Sequence, residues 1–340
     1  MNLPFLIASS IEFPLAPNFS LSYPISSNKE LHITPNIASL IIIFFFFIFF
    51  FIRFMSSNIP QITFYNGNSI PQLGYGVYLI EGDEETEKCV LEALKIGYRH
   101  IDTAHVYQNE RGVGSAIKKS GIPRNEIFLT SKLWLSDYGE GKSLEAIDKM
   151  LKRLDTDYLD LLLIHFPFCD YIGAYKDMEK ALSTGKVKNI GISNFEDNKL
   201  EDLLSKVTVK PVLNQIETHP FFIQKDLRER CFKNDIKIEA WAPIGHSMFE
   251  FGKENILNDL SKKYNKSVYQ IVLRWHIQKG VIIIPKTVRP EKMKENFEIL
   301  DFSLNDEEMN EIDKLDGTKN RVQVPENELL KSIIGVVLDD

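Results

Sequence analysis

The chain has 340 residues, 44% of them apolar, enough to bury one large hydrophobic core or two ordinary ones. Its formal net charge of -7, with both signs spread along the chain, excludes the basic footprint of a nucleic-acid-binding protein. Three scattered cysteines, Cys89, Cys169 and Cys231, form no CxxC pair, which excludes a disulfide scaffold and a zinc site and fits a reducing compartment.

Residues 1–36 are rich in Ser, Pro and Asn, nearly uncharged and without sustained periodicity, and read as disordered. The run from Ile37 to Ile52, sixteen residues without a charge, is closed by Arg53. As a helix it would span roughly 24 Å, a little short of a bilayer core of about 30 Å. It lies too far from the N-terminus, and lacks the basic flank, for an ordinary secretory signal. As an anchor, with Arg53 on its C-terminal side, it would leave the rest of the chain in the cytosol. The preferred reading is different. Phe/Ile runs are what T-rich DNA encodes, and Met55 stands directly after this one, so residues 1–54 are expected to be a gene-model extension with translation starting at Met55. The expected domain is 56–340, with no boundary visible after residue 60.

After Pro60, two short strands flank an Asn66-Gly67 turn, a hairpin signature. From there short β-rich runs alternate with amphipathic helical stretches. The runs cover 73–80, 98–104, 126–134, 158–165, 187–195, 211–217, 236–243 and 281–285. Helices are expected near 83–96, 110–119, 143–154, 174–184, 197–206, 224–234, 254–279 and 290–298. Continuous apolar runs are what parallel strands buried on both faces require. Eight strand–helix units predict a closed (β/α)8 TIM barrel, α/β in class. The hairpin would plug its bottom, and the amphipathic stretch 304–315 and the tail 316–340 would lie outside. A doubly wound dinucleotide fold is the alternative. It is disfavoured because Gly74/Gly76 and Gly112/Gly114 lack the third glycine and the strand-to-helix context.

In such a barrel the C-terminal strand ends converge on one mouth. The second run ends in Asp102 and Tyr107, the third in Lys132, the fourth in His165. The fifth carries Ser193 and Asn194, the sixth Asn214 and Gln215, the seventh Trp241, and the eighth Lys286 and Thr287. Each has a bland explanation taken singly. Asp102 suits a turn, His165 a satisfied core histidine, Lys132 a solvent-facing end, Ser193 and Asn194 a helix cap. Jointly, those explanations require independent coincidences at one end of one fold. Asp102, Tyr107, Lys132 and His165 also make chemical sense together. A phenol near pKa 10 exchanges protons poorly at neutral pH, a nearby ammonium pulls that value down, and a carboxylate holds the ammonium in place. A histidine opposite would orient a carbonyl oxygen. The set suits no metal, since lysine does not ligate and only one histidine is present.

The stretches LGYGVY, GYRHIDTAHVYQNE, IFLTSKLW, DLLLIHFP, GKVKNIGISNF, LNQIETHPF, EAWAPIG and IIIPKTVRPEKMKENF resemble the aldo-keto reductase family, in order and spacing, from about residue 60 to 315. The resemblance implies a catalytic tetrad of Asp102, Tyr107, Lys132 and His165, with Tyr107 as proton donor. It implies that Ser193, Asn194 and Gln215 hold a nicotinamide carboxamide while Trp241 stacks on the ring. Lys286, Thr287, Lys292, Glu295 and Asn296 would hold the adenosine end and its 2′-phosphate. The implied activity is NADPH-dependent reduction of small-molecule aldehydes and ketones, with NADH possible. A nicotinamide-nucleotide-binding sensor or regulatory subunit on the same barrel is the alternative function. A monomer in the cytoplasm is expected, membrane-associated only if 37–52 is a real anchor.

Three positions depart from the family pattern. Lys292 stands where an arginine is more frequent, supplying charge without a planar face, although Arg289 is near. Phe166 replaces a frequent tryptophan after the histidine. The short loop Phe166–Ala174 and the ending LLKSIIGVVLDD fall in regions that shape substrate choice. For the N-terminus, intact mass of the native protein should correspond to a chain beginning at Met55; a mature chain beginning near Met1 would overturn that expectation.

Overall fold

The computed structural model describes residues 59–322 apart from Asp197. The expected N-terminal extension, its apolar run, and the tail from 323 onward lie outside the described residues. Among the described residues, no helix is long and apolar enough to cross a membrane.

The hairpin forms as expected. Strands β1 (Gln61–Thr63) and β2 (Ser69–Pro71) pair antiparallel with Ile62 opposite Ile70. Gly67 in the connecting turn has φ +86°, a conformation open to glycine. Phe64 and Ile70 pack with Phe128, Leu161, Leu163, Leu213 and Ile282, the inner layer at the start of the barrel strands. The hairpin therefore closes the bottom by burying an apolar plug.

Eight parallel strands follow in chain order: β3 (Tyr75–Gly76), β4 (His100–Asp102), β5 (Phe128–Leu133), β6 (Leu161–Ile164), β7 (Ile190–Ser193), β8 (Leu213–Glu217), β9 (Lys237–Trp241) and β10 (Ile282–Ile283). Each pairs with its sequence neighbour, the order expected of repeated strand–helix units. The ring closes between its first and last members. Leu73 bridges Ile283, the Gly74 N–H donates to the Ile283 carbonyl at 2.8 Å, and the Ile283 N–H donates to the Gln72 carbonyl at 2.9 Å. The (β/α)8 class is thus the observed one. The strands are shorter than the apolar runs because the runs continue into the turns that lead to the mouth.

The helices are α1 (Asp83–Ile96), α2 (Glu110–Ser120), α3 (Lys142–Arg153), α4 (Tyr171–Ser183), α5 (Lys199–Leu204), α6 (Lys225–Lys233), α7 (Asn255–Tyr264), α8 (Val268–Gln278), α9 (Pro290–Phe297) and α10 (Asp306–Asp313). They turn residues such as Val90, Ala93, Ile147, Met150, Ala174 and Met178 onto the outward faces of the strands. The helical stretch expected over 254–279 is two helices. Asn265 takes the left-handed conformation at φ 52°, and the Ser267–Gln270 capping box starts a new helix.

Close packing on α2 depends on glycine. A Cβ on Gly112 would meet the Asp83 carbonyl oxygen at 2.4 Å, and one on Gly114 the Leu154 carbonyl oxygen at 2.3 Å. Backbone cannot retreat from such contacts as a flexible side chain can. Gly114→Ala should therefore destabilise the fold by about 2 kcal/mol despite the better helix propensity of alanine. Urea denaturation measures this, and an unchanged midpoint would refute it.

Candidate active site

The mouth of the barrel gathers the four expected residues. Asp102 ends β4, and a single 3-10 turn, His105–Tyr107, brings Tyr107 back over it. Lys132 lies on β5, and His165 directly follows β6. Lys132 is fully buried, so its three N–H groups need acceptors. They find Asp102 Oδ1 at 2.6 Å, the Thr103 carbonyl at 2.9 Å and Tyr107 Oη at 3.4 Å. Burial alone would favour the neutral amine, but Asp102, followed by the Tyr107 oxygen, outweighs it and raises the pKa. The lysine stays an ammonium.

Tyr107 departs from the simple expectation of a lowered pKa. Burial pushes the phenol up to about 12, while Lys132 pulls it down and Asp102 pushes it further up. The lysine acts in the expected direction and loses to desolvation. The Tyr107 and His165 rings meet edge to face, centroids 5.8 Å apart at 78°. His165 is held well below its ordinary pKa, first by burial and then by Lys132, and is therefore neutral. Its Nδ1 is buried without a protein partner. The Trp134 ring stands edge-on to it at 5.2 Å, and Phe166 stacks on it at 5.1 Å and 7°.

The expected nicotinamide contacts lie on the neighbouring strands. Asn194, in the left-handed conformation at φ 62°, donates through Nδ2 to the His165 carbonyl at 3.0 Å and accepts from Trp241 Nε1 at 2.8 Å. Ser193 Oγ donates to the Gln215 carbonyl at 2.9 Å. These groups thus also brace one another and the histidine. Gln215 Nε2 donates to Asp102 Oδ2 at 2.9 Å and to Glu239 Oε2 at 2.8 Å.

The remaining candidates follow β10. Lys286 Nζ donates to the Leu79 carbonyl at 3.0 Å, and partial burial lowers its pKa. The Thr287 carbonyl accepts from Tyr75 Oη at 2.6 Å. At the start of α9, Lys292 pairs with Glu295, which also accepts from Ser267 Oγ at 2.6 Å. Asn296 is buried beside them. The donor set suits a nicotinamide dinucleotide: a half-buried indole at Trp241, a braced amide layer, an unpartnered His165 Nδ1, and cations at Lys286, Arg289 and Lys292.

Three site residues escape a reading of strand ends. Tyr138 accepts from the backbone N–H of His165 at 3.0 Å and so fixes the end of β6. His105 pairs with Asp137 at 2.8 Å, tying the Tyr107 turn to the loop after β5. Glu239 is fully buried on β9, its carboxyl pushed up to about 8 by burial and then by Asp102. The alternation Glu239–Ala240–Trp241 was a usable signal, because it places Glu239 on the same inward face as Trp241. Asn109, at the N-cap of α2, does not cap it with its side chain, which accepts from Thr103 and donates to the Val77 and Ile80 carbonyls.

The sequence profile of the Aldo/keto reductase family matches residues 72–317. The chain is 44% identical over 255 residues to the glyoxal reductase of Bacillus subtilis, covering 75% of this chain and 92% of that protein. It is 43% identical over 276 residues to the 9,11-endoperoxide prostaglandin H2 reductase of Trypanosoma cruzi, covering 80% and 97%. The crystal structure of a Bombyx mori aldo-keto reductase in complex with NADP is 33% identical with a TM-score of 0.75, covering 81% of this chain and 97% of that one. The chain belongs to the aldo/keto reductase family. It is an NAD(P)H-dependent oxidoreductase acting on carbonyl groups.

Replacing Lys132 by methionine would keep the volume and leave Asp102 buried without its cation. Lys132→Met should destabilise the protein by about 3–5 kcal/mol, read by urea denaturation at neutral pH. A midpoint unchanged from wild type would mean that the pair does not carry this weight.

Proposed function

We propose that the protein reduces aldehydes and ketones to alcohols with NADPH, and that Tyr107 donates the proton. The observation that carries this reading is the position of Lys132 Nζ, 2.6 Å from Asp102 Oδ1 and 3.4 Å from Tyr107 Oη. A phenol pushed up to about 12 holds its proton until a stronger base forms beside it. A carbonyl oxygen becoming an alkoxide is such a base, and the fixed ammonium stabilises the phenolate left behind. Neutral His165, on the other side of Tyr107, orients the carbonyl oxygen by hydrogen bonding. Asp102 keeps Lys132 charged and in place.

A nicotinamide dinucleotide, when bound, would supply the hydride to the carbonyl carbon. Ser193, Asn194 and Gln215 would hold its carboxamide and Trp241 its ring. Lys286, Thr287, Lys292, Glu295 and Asn296, with Arg289, would hold the adenosine end. The cations favour the 2′-phosphate of NADPH, while Glu295 beside Lys292 weakens that preference. Trp134, Phe166 and Phe168 would form an apolar wall for the substrate. The likeness to a glyoxal reductase supports small reactive carbonyls, 2-oxoaldehydes among them, as substrates.

Purified protein should oxidise NADPH in the presence of glyoxal or a nitrobenzaldehyde, with NADH run in parallel. Tyr107→Phe should lower kcat by at least about 100-fold while NADPH still quenches intrinsic fluorescence with near-wild-type Kd. Wild-type kcat in that variant would overturn the assignment of the proton donor.

A further inference from the structure

We propose that Glu239 is a positioning residue for cofactor binding: it pins the Gln215 side-chain amide so that the amide carbonyl oxygen is presented to the nicotinamide. This rests on the reading of Gln215 as a carboxamide ligand. The geometry is specific. Gln215 and Glu239 sit side by side in register on β8 and β9. Gln215 Nε2 has two hydrogens and two carboxylate acceptors, Asp102 Oδ2 at 2.9 Å and Glu239 Oε2 at 2.8 Å. Asp102 alone would fix one N–H and leave the amide free to pivot about it. The second acceptor fixes the amide plane and directs Oε1 away from both carboxyl groups. An acceptor so oriented matches the NH2 of a carboxamide.

Charge accounting explains how two carboxyl groups share one buried amide. Asp102 is balanced by Lys132, and among the described residues no second cation pairs with Glu239. His100 Nε2 lies 3.6 Å from Glu239 Oε1, but burial holds this histidine down to about 3 and hence neutral. The titratable groups that face Glu239 are His100 and Asp102 from β4 and Lys132 from β5. Its strand neighbours bring Gln215 from β8 and Ile282 from β10. Glu239 therefore works as a neutral acid at neutral pH, accepting through a carboxyl oxygen. Burial, then Asp102, raises its carboxyl, so its ionisation belongs to higher pH, where it would add a negative charge behind the amide layer. That charge favours the cationic oxidised nicotinamide over the neutral reduced one.

The test is cofactor affinity by quenching of intrinsic fluorescence in the full chain, with the fold of each variant checked by circular dichroism. At pH 6.5, Glu239→Leu should raise the Kd for NADPH about tenfold, the loss of one buried hydrogen bond. Glu239→Gln keeps an acceptor and should rescue binding to within about twofold of wild type. Between pH 6.5 and 9.5 the wild type should gain affinity for NADP+ relative to Glu239→Gln. Wild-type affinity in Glu239→Leu would overturn the proposal, as would failure of the Gln variant to rescue. Should the Leu variant not fold, the comparison of wild type with Glu239→Gln across pH decides, and parallel curves would overturn it. Gln215→Ala separates the two readings. If it leaves affinity unchanged, the carboxamide assignment falls and this inference with it. If it weakens binding while Glu239→Leu does not, only the inference about Glu239 falls.

Discussion

The site depends on a lysine that is kept charged inside a barrel. Lys132 has no exposure, and an ammonium in that position persists only because each of its hydrogens has an acceptor. Two of those acceptors, Asp102 and the Thr103 carbonyl, come from the end of β4, and the third, Tyr107, from the turn that follows it. Pairing of β4 with β5, His100 opposite Phe128 and Asp102 opposite Thr130, sets their positions. A slip of one residue would turn Asp102 out of the barrel and leave the lysine without its partner. The register, the charge and the phenol are therefore one constraint.

Around that pair the molecule spends polar groups on one another. Asn194 ties His165 to Trp241, Tyr138 holds the backbone of His165, and Gln215 links Asp102 to Glu239. Such bracing restricts rotamers in the layer where substrate and cofactor must meet, which is what a precise site on short strands needs. Even the connection out of the barrel follows this pattern. Arg321 pairs with Glu196 at 2.8 Å and lies 4.9 Å from the centre of the Phe222 ring, anchoring the chain beyond α10.

Much of this was legible in the sequence. The run 158–165 reads as a buried parallel strand because β6 is covered on both faces, and His165 stands out as the polar group where it ends. The hairpin was announced by Asn66-Gly67, and the tetrad by its place at the ends of successive runs. Three features were not legible. Asn265 divided a continuous helical pattern because only packing decides whether a left-handed residue is a kink or a boundary. The Asn109 side chain turns away from the α2 N-terminus it precedes because buried carbonyls at Val77 and Ile80 needed a donor. The net rise of the Tyr107 pKa reflects desolvation, which depends on everything packed around the phenol and not on its neighbours in the chain.

The division has a physical origin. Hydrophobic period, turn chemistry and the residue types at strand ends are local properties, and they determined the eight-unit barrel, its plug and the chemistry its mouth can carry. Which polar side chains touch is a matter of distances across the barrel, between residues 30 to 113 positions apart in the pairs Lys132–Asp102 and Gln215–Asp102. The first needs β4 and β5 paired in register, and the second needs β4 and β8, which are not neighbours in the sheet, brought face to face. So the amino-acid sequence determined which groups arrive at the mouth. The tertiary structure decided which of them stay charged, which are braced, and that Glu239 stands behind them.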